Sequence, residues 1–175
     1  MSQLKIIRIH NELLGTYGDQ GNAEVLAFRA KFHGITATIV DVSYNEELPT
    51  NGDIYLLGGA EDAAQLLSLE ALKRSNNLDT LEMAIERGAV LLAICAGFQI
   101  IGRSFWANGV EVEGLGILDV TSKPGSKRIV GDIKTTSTVL GFELTGFENH
   151  MGHTILGAST EPFGKAIKGT GNGDG

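Results

Sequence analysis

The stretch Ala89–Gly102, AVLLAICAGFQIIG, decides the fold. Five apolar residues, Ala89 to Ala93, run without polar interruption, which is the pattern of a strand covered on both faces in a parallel sheet. Ala96-Gly97 then permits a tight reversal, and Gln99, Ile100 and Ile101 resume at helical spacing. The sulfur of Cys95, the one cysteine of the chain, is therefore expected at the carboxyl end of a strand and beside a helix N-terminus. In a strand–nucleophile–helix elbow, small neighbours such as Ala96 and Gly97 tolerate a strained turn and the side chain projects above the sheet. The positive end of the helix stabilises a thiolate there, and cysteine needs less activation than serine. The pattern alone leaves a second reading open, in which Cys95 is a small buried hydrophobe.

Towards the N-terminus, Leu4–Ile9 reads as a first strand, with Lys5 and Arg8 interleaved among apolar residues. The glycine-punctuated run Gly15–Asn22 leads into Ala23–His33, where Val25, Leu26, Phe28, Arg29 and Phe32 fit a helix with one apolar face. Such a loop invites a phosphate. This one has neither the dinucleotide spacing nor the GK[ST] ending of a Walker loop, and is read as structural or substrate-lining. Gly34 ends the helix, and Thr36–Val42 is β-branched and strand-like. Asp53–Leu57 is a short buried strand stopped by Gly58-Gly59. A turn needing positive φ would explain one glycine. Two of them, before Ala60-Glu61-Asp62 and a helix, suit backbone N–H groups aimed at a developing negative charge. Ala63–Arg74 and Leu78–Arg87 are helical patterns separated by Ser75-Asn76-Asn77. The order β-α-β-β-α-α-β-elbow-α implies an α/β fold of three layers, a mostly parallel central sheet flanked by helices.

Beyond Gly102 the texture changes to short β-like runs, Ile117–Thr121, Arg128–Thr135 and Val139–Phe147, read as a small antiparallel extension. Arg128 lies there beside Lys123 and Lys127, a cluster that on a surface strand is ordinarily only solvated. Gly146–Thr154 packs Glu148, His150 and His153 between glycines. Two histidines at i and i+3 suggest a metal, but no third clear ligand and no HExxH or CxxC partner accompanies them, so a substrate-contacting loop is the alternative. Gly164–Gly175 carries five glycines in twelve residues and reads as a flexible loop.

At 175 residues the chain has room for one α/β domain and too little for two ordinary ones. Its 42% hydrophobic and 20% charged residues are globular values. A net charge of −7 argues against a nucleic-acid or anionic-membrane surface. A lone cysteine excludes an internal disulfide framework, and no stretch reaches the roughly 18 apolar residues of a membrane span. With no long apolar core in MSQLKIIRIH, a soluble cytoplasmic protein is expected.

Six segments in order, Tyr17–Asn22, Leu57-Gly58-Gly59, Ile94–Gln99, Glu113–Asp119, Arg128–Ile133 and Gly146–Gly152, resemble the class I glutamine amidotransferases of the cobyric acid synthase type. Within that family they are most similar to the isoglutaminyl synthase branch, over the first strand to about Thr154. The resemblance implies a flavodoxin-like amidotransferase fold in which Cys95 attacks the side-chain amide of L-glutamine. It implies that Gly59 and Ala96 supply the oxyanion N–H groups, that Gln99 belongs to the glutamine-site helix, and that Arg128 holds glutamine. A guanidinium suits that last task because it binds a carboxylate in a bidentate way. No cofactor or metal is implied. With no Walker-type loop in the chain, the implied partner is a Mur-ligase-like, ATP-using subunit (MurT-like), which amidates the D-glutamate of lipid II in peptidoglycan synthesis. Ammonia supply for corrin amidation is the alternative within the family, and a non-catalytic, redox-responsive protein of the same fold is the alternative outside it.

The family's general base is a histidine in a TYLHG-like segment, and no such segment occurs before Gly175. His150 and His153 sit in the earlier glycine-framed stretch and do not take its role. The expectation is a chain that stops short of that histidine and is at most weakly active by itself, since members of a catalytic set act as a unit.

Overall fold

The computed structural model describes residues 3–74 and 76–173. Parts of the readings of the N-terminus, the helix separator and the tail fall on Met1, Ser2, Ser75, Asp174 and Gly175, which lie outside the described residues. The chain divides into two compact units, Met1–Ile101 and Gly102–Gly175.

The first unit runs β1 (Gln3–Ile9), α1 (Asn11–Leu14), α2 (Gln20–Phe32), β2 (Thr36–Val42), β3 (Ile54–Leu57), α3 (Asp62–Lys73), α4 (Asn77–Glu86), β4 (Val90–Ala93) and α5 (Ala96–Ile101). Its four strands pair in parallel in the order β2-β1-β3-β4. The strand order reverses between β1 and β3, and open α/β sheets bind their ligands at the carboxyl ends beside such a reversal. Helices lie on both faces. Ile6 and Leu56 pack on Ala23 of α2, with Leu4, Leu26, Ala27, Ala37, Ile39 and Ile54 around them. Leu57, next in the strand, points the other way, and a Cβ added to Gly97 of α5 would lie 2.6 Å from its Cβ.

Two expectations for this unit are corrected. Helix α2 buries its small residues Ala23 and Ala30, while Val25, Phe28 and Phe32 face solvent. The close approach that Ala23 and Ala27 permit turns the aromatic stripe outward, where the Phe28 and Phe32 rings meet edge to face at 4.9 Å. Strand β4 is the edge of its sheet and not a strand covered on both faces, so Val90 and Leu92 are 56% and 37% exposed.

The second unit holds β5 (Ser104–Ala107), β6 (Val110–Glu113), β7 (Val120–Ser137), β8 (Glu143–Leu156) and β9 (Gly164–Lys168). They pair in the order β6-β5-β7-β8, with β9 also on β7. All pairs are antiparallel except the single β5–β7 bridge, Ser104 to Thr121. The expected antiparallel extension is present, with four differences. Asn108 and Gly109, at φ 50° and 78°, turn an unexpected hairpin between β5 and β6. Val139 belongs to the turn before β8, where Ser137 Oγ accepts the Leu140 N–H at 3.1 Å and Gly141 has φ 73°. Gly146–Thr154 is not a loop but part of β8, paired with β7 on either side of an irregularity at Met151. The tail is not uniformly flexible: Gly164–Lys168 forms β9, and Glu148 accepts the N–H groups of Thr170 and Gly171 at 2.7 and 2.9 Å.

Candidate active site around Cys95

The bend between β4 and α5 is built by backbone pairing to the end of β3. Ile94 N–H donates to Leu57 O at 2.9 Å, and Gly97 N–H to Gly58 O at 3.0 Å and Ile94 O at 2.9 Å. A side chain on Gly97 would strike the Leu57 carbonyl oxygen at 2.6 Å, so only glycine lets α5 sit this close to the strand. Cys95 itself takes the left-handed conformation, φ 53°, uncommon outside glycine and characteristic of a strained functional turn. The result is an exposed cysteine at the sheet's carboxyl edge, not a buried one.

Gly58 and Gly59 are glycines because of crowding; neither has positive φ. A Cβ on Gly58 would fall 2.0 Å from Leu14 O and 2.7 Å from the Asp19 Cβ. One on Gly59 would meet the Cys95 Cβ at 3.1 Å, and Asp19 Oδ2 and Tyr17 Cδ2 at 3.2 Å each. The structure thus brings Cys95, Ala96 and Gly59 together, as the sequence places them. It adds Asp19, whose Oδ2 accepts the Gly59 N–H at 2.7 Å. The Tyr17 hydroxyl donates to Glu61 beside them, and that bond raises its pKa.

The thiol departs from expectation. Partial burial pushes the Cys95 pKa up; the Ala96 N–H, donating to the sulfur, pulls it down, and the negative charges of Asp19 and Glu61 push it up again. The net direction is upward, because desolvation and the two carboxylates together outweigh the Ala96 N–H.

Gln99 is held from behind. Buried Gln65 of α3 donates through Nε2 to Gln99 Oε1 at 2.8 Å and to Ala96 O at 3.3 Å. Arg128 belongs to the second unit, exposed within the β7 irregularity between Pro124 and Ile129, where its Nε donates to Asn149 Oδ1 at 2.8 Å. Glu148 and His150, which suggested a metal, are engaged locally. The Glu148 pKa is lowered chiefly by the Thr170 and Gly171 N–H groups, and His150 Nδ1 lies 3.0 Å from Gly152 O. Among the described residues no group of three His, Cys, Asp or Glu side chains stands ready for a metal ion.

Asp19, Tyr17, Glu61 and Gln65 are the residues that sequence reasoning did not single out. Tyr17 and Asp19 lie in a quoted motif and Glu61 follows the glycine pair, so their neighbourhood was marked but not their contacts. Gln65 carried one signal, a polar residue amid the apolar positions of a helix.

The geometry has counterparts elsewhere. The family model for CobB/CobQ-like glutamine amidotransferase domains matches residues 5–175. Subunit GatD of the glutamine-hydrolysing lipid II isoglutaminyl synthase from Streptococcus pneumoniae is 34% identical over 98% of this chain and 66% of its own length. The Staphylococcus aureus protein of the same name is 35% identical over 99% of this chain and 70% of its own. Cobyric acid synthase from Brucella abortus is 30% identical over 73% of the chain, which is 27% of that protein. The chain therefore spans about two thirds of the length of the GatD relatives. A crystal structure of a glutamine amidotransferase superposes with a TM-score of 0.58 at 16% identity, over 90% of this chain and 78% of its own, which speaks for the fold. With a cysteine elbow against a glycine-ended strand and a family match through both units, this chain belongs to the CobB/CobQ-like glutamine amidotransferase domains.

Proposed function

We propose that this chain is the glutamine-hydrolysing subunit of a lipid II isoglutaminyl synthase. One observation carries the chemistry: Cys95, in a left-handed elbow, stands against the backbone of Gly59 with the Ala96 N–H on its sulfur. Likeness to the two GatD proteins supports the substrate and the setting. The Cys95 thiolate attacks Cδ of L-glutamine; the carbonyl electron pair moves to oxygen, where the Gly59 and Ala96 N–H groups stabilise it. Collapse of this intermediate breaks the C–N bond, and the nitrogen leaves as ammonia with the proton the thiol gave up. Water then cleaves the thioester, releasing glutamate and restoring the thiol. Gln99 lines the glutamine site, and Arg128 is assigned to the glutamine carboxylate on family resemblance.

The ammonia passes to a Mur-ligase-like, ATP-using partner that amidates the D-glutamate of lipid II, in the cytoplasm. Both units act as a single amidotransferase domain, a reading supported by a family match that runs through both. Treatment with diazo-oxo-norleucine tests the catalytic claim. Covalent label on Cys95, blocked by excess L-glutamine and absent in C95A, is the expected result. Oxidation of Cys95 by peroxide with no such labelling would replace the glutaminase by a redox-responsive protein.

A further inference from the structure

If Gly59 N–H is an oxyanion donor, as the proposed reaction requires, it is not available in the conformation described. Asp19 Oδ2 takes it at 2.7 Å. The tetrahedral oxygen would need that same N–H and would meet a carboxylate already on it.

The side chain is placed there at a local cost. Asp19 is the N-cap of α2, a position where aspartate ordinarily accepts an N–H of its own helix. It caps nothing, and its carboxylate goes to Gly59 instead. The segment that carries it presses on the glycine pair, with Leu14 O and Asp19 Cβ occupying the space a Gly58 side chain would need. Its glycines differ: a Cβ on Gly15 would lie 2.5 Å from Asn11 O, whereas Gly18, at φ 82°, and Gly21 have no described atom within 4 Å of their missing Cβ positions, so the open part of the segment is the part that flanks Asp19.

We propose that Asp19 is a built-in plug of the oxyanion site, so that residues 15–21 must withdraw before Cys95 can turn over glutamine. The same carboxylate adds negative charge beside the sulfur, so withdrawal both frees the donor and eases formation of the thiolate. Whatever opens the site must outcompete the Asp19–Gly59 bond, and a cationic group received by Asp19 and Glu61 has the required charge.

Two electrophiles used on the full chain separate the effects. Iodoacetamide alkylates the thiolate by displacement at carbon and needs no oxyanion site. A chloroketone analogue of glutamine reacts through a hemithioketal: the sulfur adds to the carbonyl and the oxygen becomes anionic, then the sulfur shifts to the methylene as chloride leaves, its bond to the carbonyl carbon breaks and the oxygen's electron pair restores the ketone. With the chloroketone at saturation, so that its binding drops out, the ratio of its rate to the iodoacetamide rate therefore reads the oxyanion site. Removing one oxyanion donor typically costs 10²–10³-fold. D19A is expected to raise the ratio at least about tenfold. D19S, whose hydroxyl can cap α2, is expected to do the same and covers the case in which D19A folds poorly. D19N keeps an acceptor on Gly59 without the charge; it should speed iodoacetamide while leaving the ratio near wild type. A ratio in D19A and D19S at or below wild type, with wild type still labelled by the chloroketone, removes the plug and leaves the glutaminase standing. No chloroketone labelling of any form, with iodoacetamide reacting normally, removes both.

Discussion

Cys95 must serve as a nucleophile from an environment that disfavours its anion. Burial raises its pKa first, and Asp19 and Glu61 add to that against the Ala96 N–H. Its alkylation rate should therefore continue to climb with pH above the ordinary thiol range. Replacing Glu61 with Gln removes one negative charge and should lower the midpoint of the alkylation profile. An unmoved or raised midpoint in E61Q would mean that the Glu61 charge does not help to set the thiol. The sequence located this sulfur correctly and misjudged its ionisation. Position follows from local pattern, Ala96-Gly97 after five apolar residues. Ionisation depends on carboxylates 34 and 76 positions away, Glu61 and Asp19, that only the folded chain brings near.

At the scale of elements, α5 is held to β3 by the absence of a side chain at Gly97. An alanine there must displace backbone, since its Cβ would lie 2.6 Å from both Leu57 Cβ and Leu57 O. Overpacking of this kind typically costs about 1–3 kcal/mol. G97A should lose stability of that order in urea unfolding and lose Cys95 labelling as well, because the elbow moves with the helix. Gln65 ties α3 to α5; Q65A leaves Gln99 Oε1 and Ala96 O without that donor and should cost about 1–3 kcal/mol while raising KM for glutamine. A kcat loss at unchanged KM would show that Gln65 serves the elbow and not the glutamine pocket. Long elements with one clear period were legible to within a residue or two, as Thr36–Val42 and the two helices after Ala60 illustrate. The second unit was less so. Gly146 and Gly152 read as loop punctuation, yet in β8 they pair with Ile133 and Pro124 of β7, and a strand's partner is invisible in its own sequence. The β5–β6 hairpin had a strong local signal in Asn108-Gly109, flanked by SFWA and VEVE, that the strand–helix reading passed over.

For the whole molecule, the two units should respond to acid in different pH windows. His10 closes β1 in the first unit, fully buried at φ 50°, with Nδ1 2.8 Å from Ser68 Oγ and no partner for Nε2 among the described residues. Burial lowers its pKa to about 4, with Glu12 opposing, from an ordinary 6.5. The unfolded chain therefore binds a proton at His10 more readily than the folded one. Stability from this group is complete above pH 6.5 and is lost as pH falls towards 4, by about 3 kcal/mol in all. In the second unit the depressed groups are carboxylates. Asp119 is lowered first by Ser159, through its hydroxyl and N–H, and Glu148 by the N–H groups of the tail. Their contribution is complete above the ordinary carboxylate values, 3.8 and 4.5, and is lost only below them. Hydrogen exchange, corrected for its intrinsic pH dependence, should show β1 amides losing protection between pH 6.5 and 5 while β7 and β8 hold until below about 4.5. Asparagine tolerates the left-handed backbone and does not titrate, so H10N should flatten the first step and leave the second unchanged. Loss of protection in both units over one window, or a first step that persists in H10N, would show that buried His10 does not set the acid limit of the sheet that carries Cys95.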